Sequence, residues 1–416
     1  MMKRWRIRIL LFLAVLGPGF ITANVDNDSG GIFTYSQAGA QYGYALLWTI
    51  LPITIALIVV QEMCARMGVV TGKGLSDLIR EEFGLRLTFV LMVILLIVNF
   101  TNVVTEFIGI AGSMSLFHVP KFVSVPICAA LVWGLVFRGD YKSTEKIFLV
   151  ASLVYIAYIF AGVLSQPDWR QALVATVKMP DKSVWNDKAY IYMAIGIVGT
   201  TIAPWMQFYL QSSIVEKGIR PKDYAASRLD VIVGSFFTDI VAWFIVVACA
   251  ATLYAHGMGT IQVAADAAEA MRPLAGVYAF ILFAFGLFNA SLFAASILPL
   301  STAYTVCEGL GFESGVDKSY KEAPFFYWLY TLLIAGGALT VLLLPDAQLI
   351  NMAILSQVLN GVLLPVIIIL MLLLSNRADL MGEFKNSRIW NVIAWATSLI
   401  VIGMTMVMLW GLMPGH

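Results

Sequence analysis

Asp28-Ser29-Gly30-Gly31 falls inside the first long apolar stretch of the chain. A charged side chain at membrane depth is costly, so it usually marks an ion or proton site. Gly30 and Gly31 permit backbone conformations that a continuous helix does not use. Unwound backbone within a membrane is tolerated only where protein or a water-filled cavity satisfies its polar groups. A second interruption stands far along the chain, at Ala203-Pro204-Trp205. Paired interruptions in corresponding halves point to the central site of a secondary transporter.

Composition agrees with a membrane protein. The 416 residues are 60% hydrophobic and 12% charged, with a mean hydropathy of +0.86. Soluble domains carry about 25% charged residues. Apolar lengths of ~20 residues recur, which reads as helices rather than as the ~10-residue alternating strands of a barrel. The pattern predicts an all-α integral membrane protein with eleven spans. They lie near 9–41 (interrupted), 44–69, 87–115, 120–137, 145–165, 190–213 (interrupted), 229–255, 274–306, 325–344, 349–374 and 389–413. Residues 1–416 form one polytopic domain. Its two halves, about 9–165 and 190–374, would have opposite orientation because five is odd, and each would begin with an interrupted helix. An extra helix follows at about 389–413. No residue-level repeat is visible, so this inverted symmetry rests on the breaks and the topology.

Lys and Arg set the orientation. With the N-terminus inside, Lys121, Arg170, Lys178, Lys182, Lys188 and Arg272 lie in outer loops, and the other 20 of the 26 basic residues lie in inner ones. Cytoplasmic loops carry the excess. The expected N-terminus is therefore cytoplasmic, the C-terminus outside, and the location the plasma membrane. Because the basic residues are spread over many loops and the net charge is +1, no nucleic-acid partner is expected. A secretory signal is the rival reading of Met1–Phe20, with its basic start and short apolar core. No small-residue cleavage site follows, and the apolar stretch runs directly into Asp28.

Cys64, Cys128, Cys249 and Cys307 are isolated and lack metal-ligand spacing, so they read as buried structural cysteines. His118, His256 and His416 fall at span ends or the terminus, so no core imidazole is available as ligand or proton carrier. Neither a phosphate-binding loop nor a nucleophile–base pair is readable. ATP-driven transport and enzymatic activity therefore have little support, and no resident cofactor is expected.

Asp28 is the strongest candidate for chemistry, since a carboxylate suits a small divalent cation. Helix ends beside it would add free carbonyls such as those of Val25 and Thr200. The plain alternative is a capping aspartate, and Asp26 and Asn27 leave open which aspartate faces the ion. At Ala203-Pro204 the proline frees a carbonyl one turn back, although a simple kink has the same signature. Glu106, within apolar span three, and Asp239, in span seven, are candidate gating or proton groups. Gln357, with Asn351 and Asn360 nearby, offers an amide oxygen. Buried amides, Asn99 and Asn102 included, more often join helices than bind ions.

With these residues the chain resembles the Nramp family of divalent-metal transporters. The resemblance is carried by Gly17-Pro18-Gly19-Phe20, Gln37-Ala38-Gly39-Ala40-Gln41-Tyr42-Gly43-Tyr44, Gln61-Glu62-Met63-Cys64-Ala65-Arg66-Met67-Gly68, Thr71-Gly72-Lys73-Gly74, Leu355-Ser356-Gln357-Val358-Leu359-Asn360 and Asn376-Arg377-Ala378-Asp379-Leu380-Met381-Gly382. It implies an inverted 5+5 repeat, the fold of the amino-acid/sodium symporters. The departures fall at the site. The family's first-helix motif is Asp-Pro-Gly-Asn, so Asp28 matches and Gly31 replaces an asparagine ligand. Its sixth-helix motif is Met-Pro-His, so Ala203 replaces a methionine ligand and Trp205 a histidine. A second histidine aligns with Gln211. The register of Met206 and Gln207, the latter a further candidate ligand, stays open. Glu106 matches a family acid, Val103 stands for an aspartate, and Gln357 matches a glutamine associated with the metal site.

Loss of a thioether removes the soft ligand that favours manganese, iron or cadmium over hard cations. Replacing Met and Asn by Ala and Gly also leaves room for a partly hydrated ion, and Mg2+ sheds water reluctantly. On this basis the chain is similar to the Nramp-related magnesium transporter branch. The expected function is uptake of Mg2+, with Mn2+ as a second cargo, by alternating access across the lipid bilayer and without proton coupling. The alternatives are a proton-coupled Mn2+/Fe2+ transporter and an organic-solute symporter on the same fold. Asp28 argues against the last, because it would repel a substrate carboxylate.

Overall fold

The structure, a computed structural model, describes residues 17–138, 155–257, 259–261, 264–316 and 318–411. Expectations on 1–16 and 139–154 lie outside the described residues, as does His416. Among the described residues the regular elements are helices, joined by loops and short 3-10 turns. In chain order they are α1 (Pro18–Val25), α2 (Ser29–Tyr42), α3 (Ile50–Thr71), α4 (Leu75–Phe83), α5 (Leu85–Ser115), α6 (Lys121–Arg138), α7 (Ile156–Leu164) and α8 (Trp169–Val177). Then come α9 (Lys188–Thr201), α10 (Pro204–Glu216), α11 (Tyr224–Thr252), α12 (Ala264–Leu310), α13 (Pro324–Leu343), α14 (Asp346–Ser375), α15 (Ala378–Met381) and α16 (Arg388–Gly411).

Both interruptions stand where the sequence places them, and each has a local cause. α1 opens with Pro18 in its first turn, where a missing N–H costs little. It stops at Asp26, and the chain restarts as α2 with Asp28 as N-cap. The Asp28 carboxylate accepts from the Gly31 N–H at 2.7 Å, satisfying one free donor of the new helix. α9 ends at Thr201, and α10 begins with Pro204 behind an extended Ala203. Proline has no N–H to give the Thr200 carbonyl, so the ladder cannot continue.

Among the described residues, eight helical runs are long and apolar enough to cross a membrane, from Leu47–Thr71 to Arg388–Val407. They correspond to eight of the eleven expected spans. The other three differ for separate reasons. The first is split into the short helices α1 and α2, and Lys121–Leu135 is a shorter apolar helix. Most of 145–165 lies outside the described residues, and α7 is its visible end.

Packing places the breaks at the centre. α5 lies along α12, α9 along α14, and α11 against α1, α2 and α3. α16 packs on α14 from outside, and its Ile389, Val392 and Leu399 are exposed apolar side chains that suit a lipid-facing surface. Asp230 near the start of α11 bonds the first residues of α1, while Thr238, farther along α11, bonds Asn27 just past the end of α1. The two helices therefore run side by side in one direction over about 12 Å at 1.5 Å per residue. The four cysteines are free and buried, as expected. His118 and His256 sit just beyond α5 and α11.

Candidate metal site at the two helix breaks

The polar residues of the first break are almost wholly enclosed. Asp26, Asn27, Asp28 and Ser29 are each at most 3% exposed. Two sides of the break meet different helices. On one side, the Ser29 N–H and hydroxyl donate to Glu106 Oε2 at 3.2 and 2.9 Å, and the hydroxyl also donates to the Thr105 carbonyl at 2.7 Å. Glu106 on α5 thus takes the N–H that a continuous helix would have given to Val25. No hydrogen bond among the described residues ends on the Val25 or Thr200 carbonyl. Both carbonyl oxygens therefore keep their lone pairs free of hydrogen bonds among the described residues.

On the other side, the Asn27 Nδ2 donates to the Thr238 carbonyl and hydroxyl of α11 at 3.0 and 2.6 Å. Asp239 follows Thr238 in sequence. Tyr35 of α2 meets Thr201 of α9 at 2.7 Å, so the two broken helices touch directly. The remaining candidates fall into place around them. Gln357 of α14 lies against Gly30, where its carboxamide occupies the space a Cβ would take. At the second break Gln207 Nε2 donates to the Ala203 carbonyl at 3.3 Å, and its Oε1 is buried without a partner. Cys64 of α3 donates to the Gln207 carbonyl at 2.6 Å and so holds that turn. Among the described residues no three His, Cys, Asp or Glu side chains converge. A cation here would be held by few carboxylates and by carbonyl and amide oxygens.

One expectation needs correction. Gly31 does not leave room. A Cβ there would lie 2.5 Å from the Asp26 carbonyl and 3.2 Å from Thr200 Oγ1, so the glycine marks close backbone approach. Gln357 Oε1 accepts from Asn360 Nδ2 at 3.0 Å, which uses one of its two lone pairs and leaves the other. It belongs to an amide cluster in which Asn102 and Asn360 exchange bonds at 3.0 Å and Ser356 donates to Asn102 at 2.6 Å. That cluster joins α5 to α14, which is the structural role expected for Asn102.

Sequence reasoning passed over Asp230. Its carboxylate accepts from the N–H groups of Gly17, Gly19 and Phe20 at 2.8, 2.7 and 3.1 Å. Those are free donors at the N-terminus of α1, which has no capping side chain of its own. A membrane helix that begins Gly-Pro-Gly-Phe, with no Ser, Thr or Asp to cap it, was the available signal.

Residues 19–411 match the family described as Nramp, natural resistance-associated macrophage protein-like. The chain belongs to the Nramp family. Among Nramp relatives, the divalent metal cation transporter MntH of Nostoc sp. is 28% identical over 408 residues, covering 94% of this chain and 89% of that one. The protein of the same name from Deinococcus radiodurans is 27% identical over 422 residues, covering 98% and 91%. The crystal structure of the Eremococcus coleocola manganese transporter in complex with an aromatic bis-isothiourea substituted compound superposes with a TM-score of 0.76 at 23% identity, over 95% of this chain and 86% of that one. That likeness is one of fold. The two sequence relatives are named for divalent metals and the solved structure for manganese, and none of the three bears out the magnesium branch.

Proposed function

We propose that this Nramp protein is a secondary transporter that carries a divalent metal cation past Asp28 by alternating access between the two broken helices. The observation that carries the reading is the enclosed break itself. A carboxylate caps the first break, and the carbonyls just before the two breaks, those of Val25 and Thr200, receive no hydrogen bond among the described residues, which suits a cation site. Relatives named for manganese or for divalent metals favour Mn2+ as cargo over the Mg2+ expected from sequence. Glu106, one residue away on Ser29, supports the proton-coupled form of that reading. Mg2+ remains the second reading on one observation, that Ala203 supplies no sulfur at the second break. We place the protein in the plasma membrane with its N-terminus cytoplasmic, on the distribution of Lys and Arg.

Uptake into proteoliposomes tests this. Wild-type protein should accumulate Mn2+, and Asp28→Ala should abolish uptake while remaining monodisperse in detergent. Equal Mn2+ uptake by wild type and Asp28→Ala would remove Asp28 from the path. Competition with Mg2+ separates the two cargo readings: weak competition favours Mn2+, and strong competition at equal concentration favours Mg2+.

A further inference from the structure

The α11 side of the first break holds a group of acceptors that the Asp28 site does not use. Both carboxylate oxygens of Asp26, Oδ2 of Asp239, Oδ1 of Asn27 and Oγ1 of Thr200 are buried with no hydrogen-bond partner. None of the four residues is more than 4% exposed. They share one neighbourhood. The Asn27 bonds to Thr238 bring residues 26 and 27 onto the turn of α11 that carries Asp239. Asp239 and Asp28 are the charged groups that act on Asp26. The Asp26 carbonyl and Thr200 Oγ1 border the same point beside Gly31.

A carboxylate is kept ionised in a protein interior only when it is paired, fully hydrogen-bonded or bound to a metal. Among the described residues no Lys or Arg forms an ion pair with Asp26 or Asp239. Nor is the group a satisfied polar core: its only donor is the Thr200 hydroxyl, and none of these atoms has a hydrogen-bond partner. Its atoms are all oxygen: two carboxylates, an amide and a hydroxyl. Oxygen donors select hard cations, and two carboxylates balance one divalent charge. With fewer than three acids, the remaining coordination falls to neutral oxygens and water, as magnesium-like ions accept.

We propose that Asp26 and Asp239, completed by Asn27 Oδ1 and Thr200 Oγ1, form a second binding site for a hard divalent cation on the α11 side of the break, separate from the Asp28 position. The proposal rests on the metal-transport reading for the identity of its ion. It gives the first break two ion positions, one turned to α5 and one to α11, and makes α11 a ligand-bearing element.

Equilibrium dialysis of the purified full-length protein against Mn2+ alone tests it. Wild type should bind two ions per chain. Asp28→Asn should keep one, and Asp26→Asn and Asp239→Asn should each keep one, with the Asp26→Asn/Asp239→Asn double variant losing no more than either. Thr200→Val, which is isosteric and leaves the backbone carbonyl in place, guards against misfolding of the acid variants. It should weaken the second ion at least about tenfold, the scale of a perturbed ligand shell. A single ion in wild type, lost in Asp28→Asn and kept in Asp239→Asn, overturns the second site and leaves the transport reading standing. Unchanged affinity for the second ion in Asp26→Asn or Thr200→Val overturns the assignment of its ligands. A wild type that binds no Mn2+ and takes up none overturns both readings.

Discussion

Gly31 and Ala203 show how a small residue in a motif carries two opposite meanings. Read from sequence, each stands where the family places a liganding side chain, and each suggests vacated space. At Gly31 the Asp26 carbonyl already fills that space, at 2.5 Å from where a Cβ would sit. Gly31→Asn therefore has to push the break apart, and overpacking of this kind costs about 1–3 kcal/mol. A lower thermal midpoint for purified Gly31→Asn is expected, together with reduced uptake of every ion. An unchanged midpoint would show that the break is roomier than its geometry. Ala203 differs in kind, because it is an extended residue ahead of Pro204. Ala203→Met should add a soft ligand and raise the preference for Cd2+ and Mn2+ over Mg2+ in competition uptake. An unaltered preference in a stable variant would remove position 203 from the selectivity of the site.

At the scale of elements, much was legible in the sequence and some was not. The breaks were legible because their causes are local: Asp28 caps α2 three residues ahead of its donor, and Pro204 lacks the N–H that would continue α9. The turn of each aspartate was not legible. In a non-helical stretch, neighbours point to different helices, so only the fold sends Asp28 towards Glu106 and Asn27 towards Thr238. The hold on α1 was not legible either, because Asp230 is 213 residues from Gly17. That hold makes its own prediction. Asp230 Oδ1 accepts from Gly17 and Phe20, and Oδ2 from Gly19. Asp230→Asn keeps one acceptor oxygen and loses the negative charge that suits a helix N-terminus. The expected cost is about 1–3 kcal/mol, as for a lost charged hydrogen bond. Faster hydrogen exchange at Gly19 and Phe20 should report it. Unchanged protection there would mean that α1 is held by its side-chain packing and not by Asp230.

Across the whole molecule, polar ties close the chain around the breaks. Arg66 of α3 pairs with Glu62 at 3.3 Å, donates to the Phe384 carbonyl at 2.8 Å and reaches Asn386, while Tyr224 donates to Glu62. Gln37 of α2 holds the Ile261 N–H at 2.9 Å at the opposite end. The alternating-access proposal requires that one set of ties release at a time, with the energy drawn from the ion gradient, the membrane potential or protons. A divalent ion gains about 4.6 kcal/mol per 100 mV, twice the value for a single charge. The sequence favoured transport without protons because Val103, Trp205 and Gln211 replace titratable residues. Each of the three has a packing or bonding role: Val103 lies against Gly337, the Trp205 carbonyl accepts from Ser301, and Gln211 donates to the Lys73 carbonyl. None of these side chains has a group that titrates near neutral pH. Glu106 differs, since it holds Ser29 with one oxygen and has a second, Oε1, without a partner. On the proton-coupled proposal, a proton displaced when a cation reaches Asp28 passes to this carboxylate, which meets the break from α5. Mn2+ entry should therefore acidify vesicles loaded with a pH dye. Glu106→Gln should abolish the acidification and leave slower uptake that depends on an imposed potassium diffusion potential. Mn2+ uptake by wild type with no change in internal pH would instead make the potential the sole drive, as positions 103, 205 and 211 suggest.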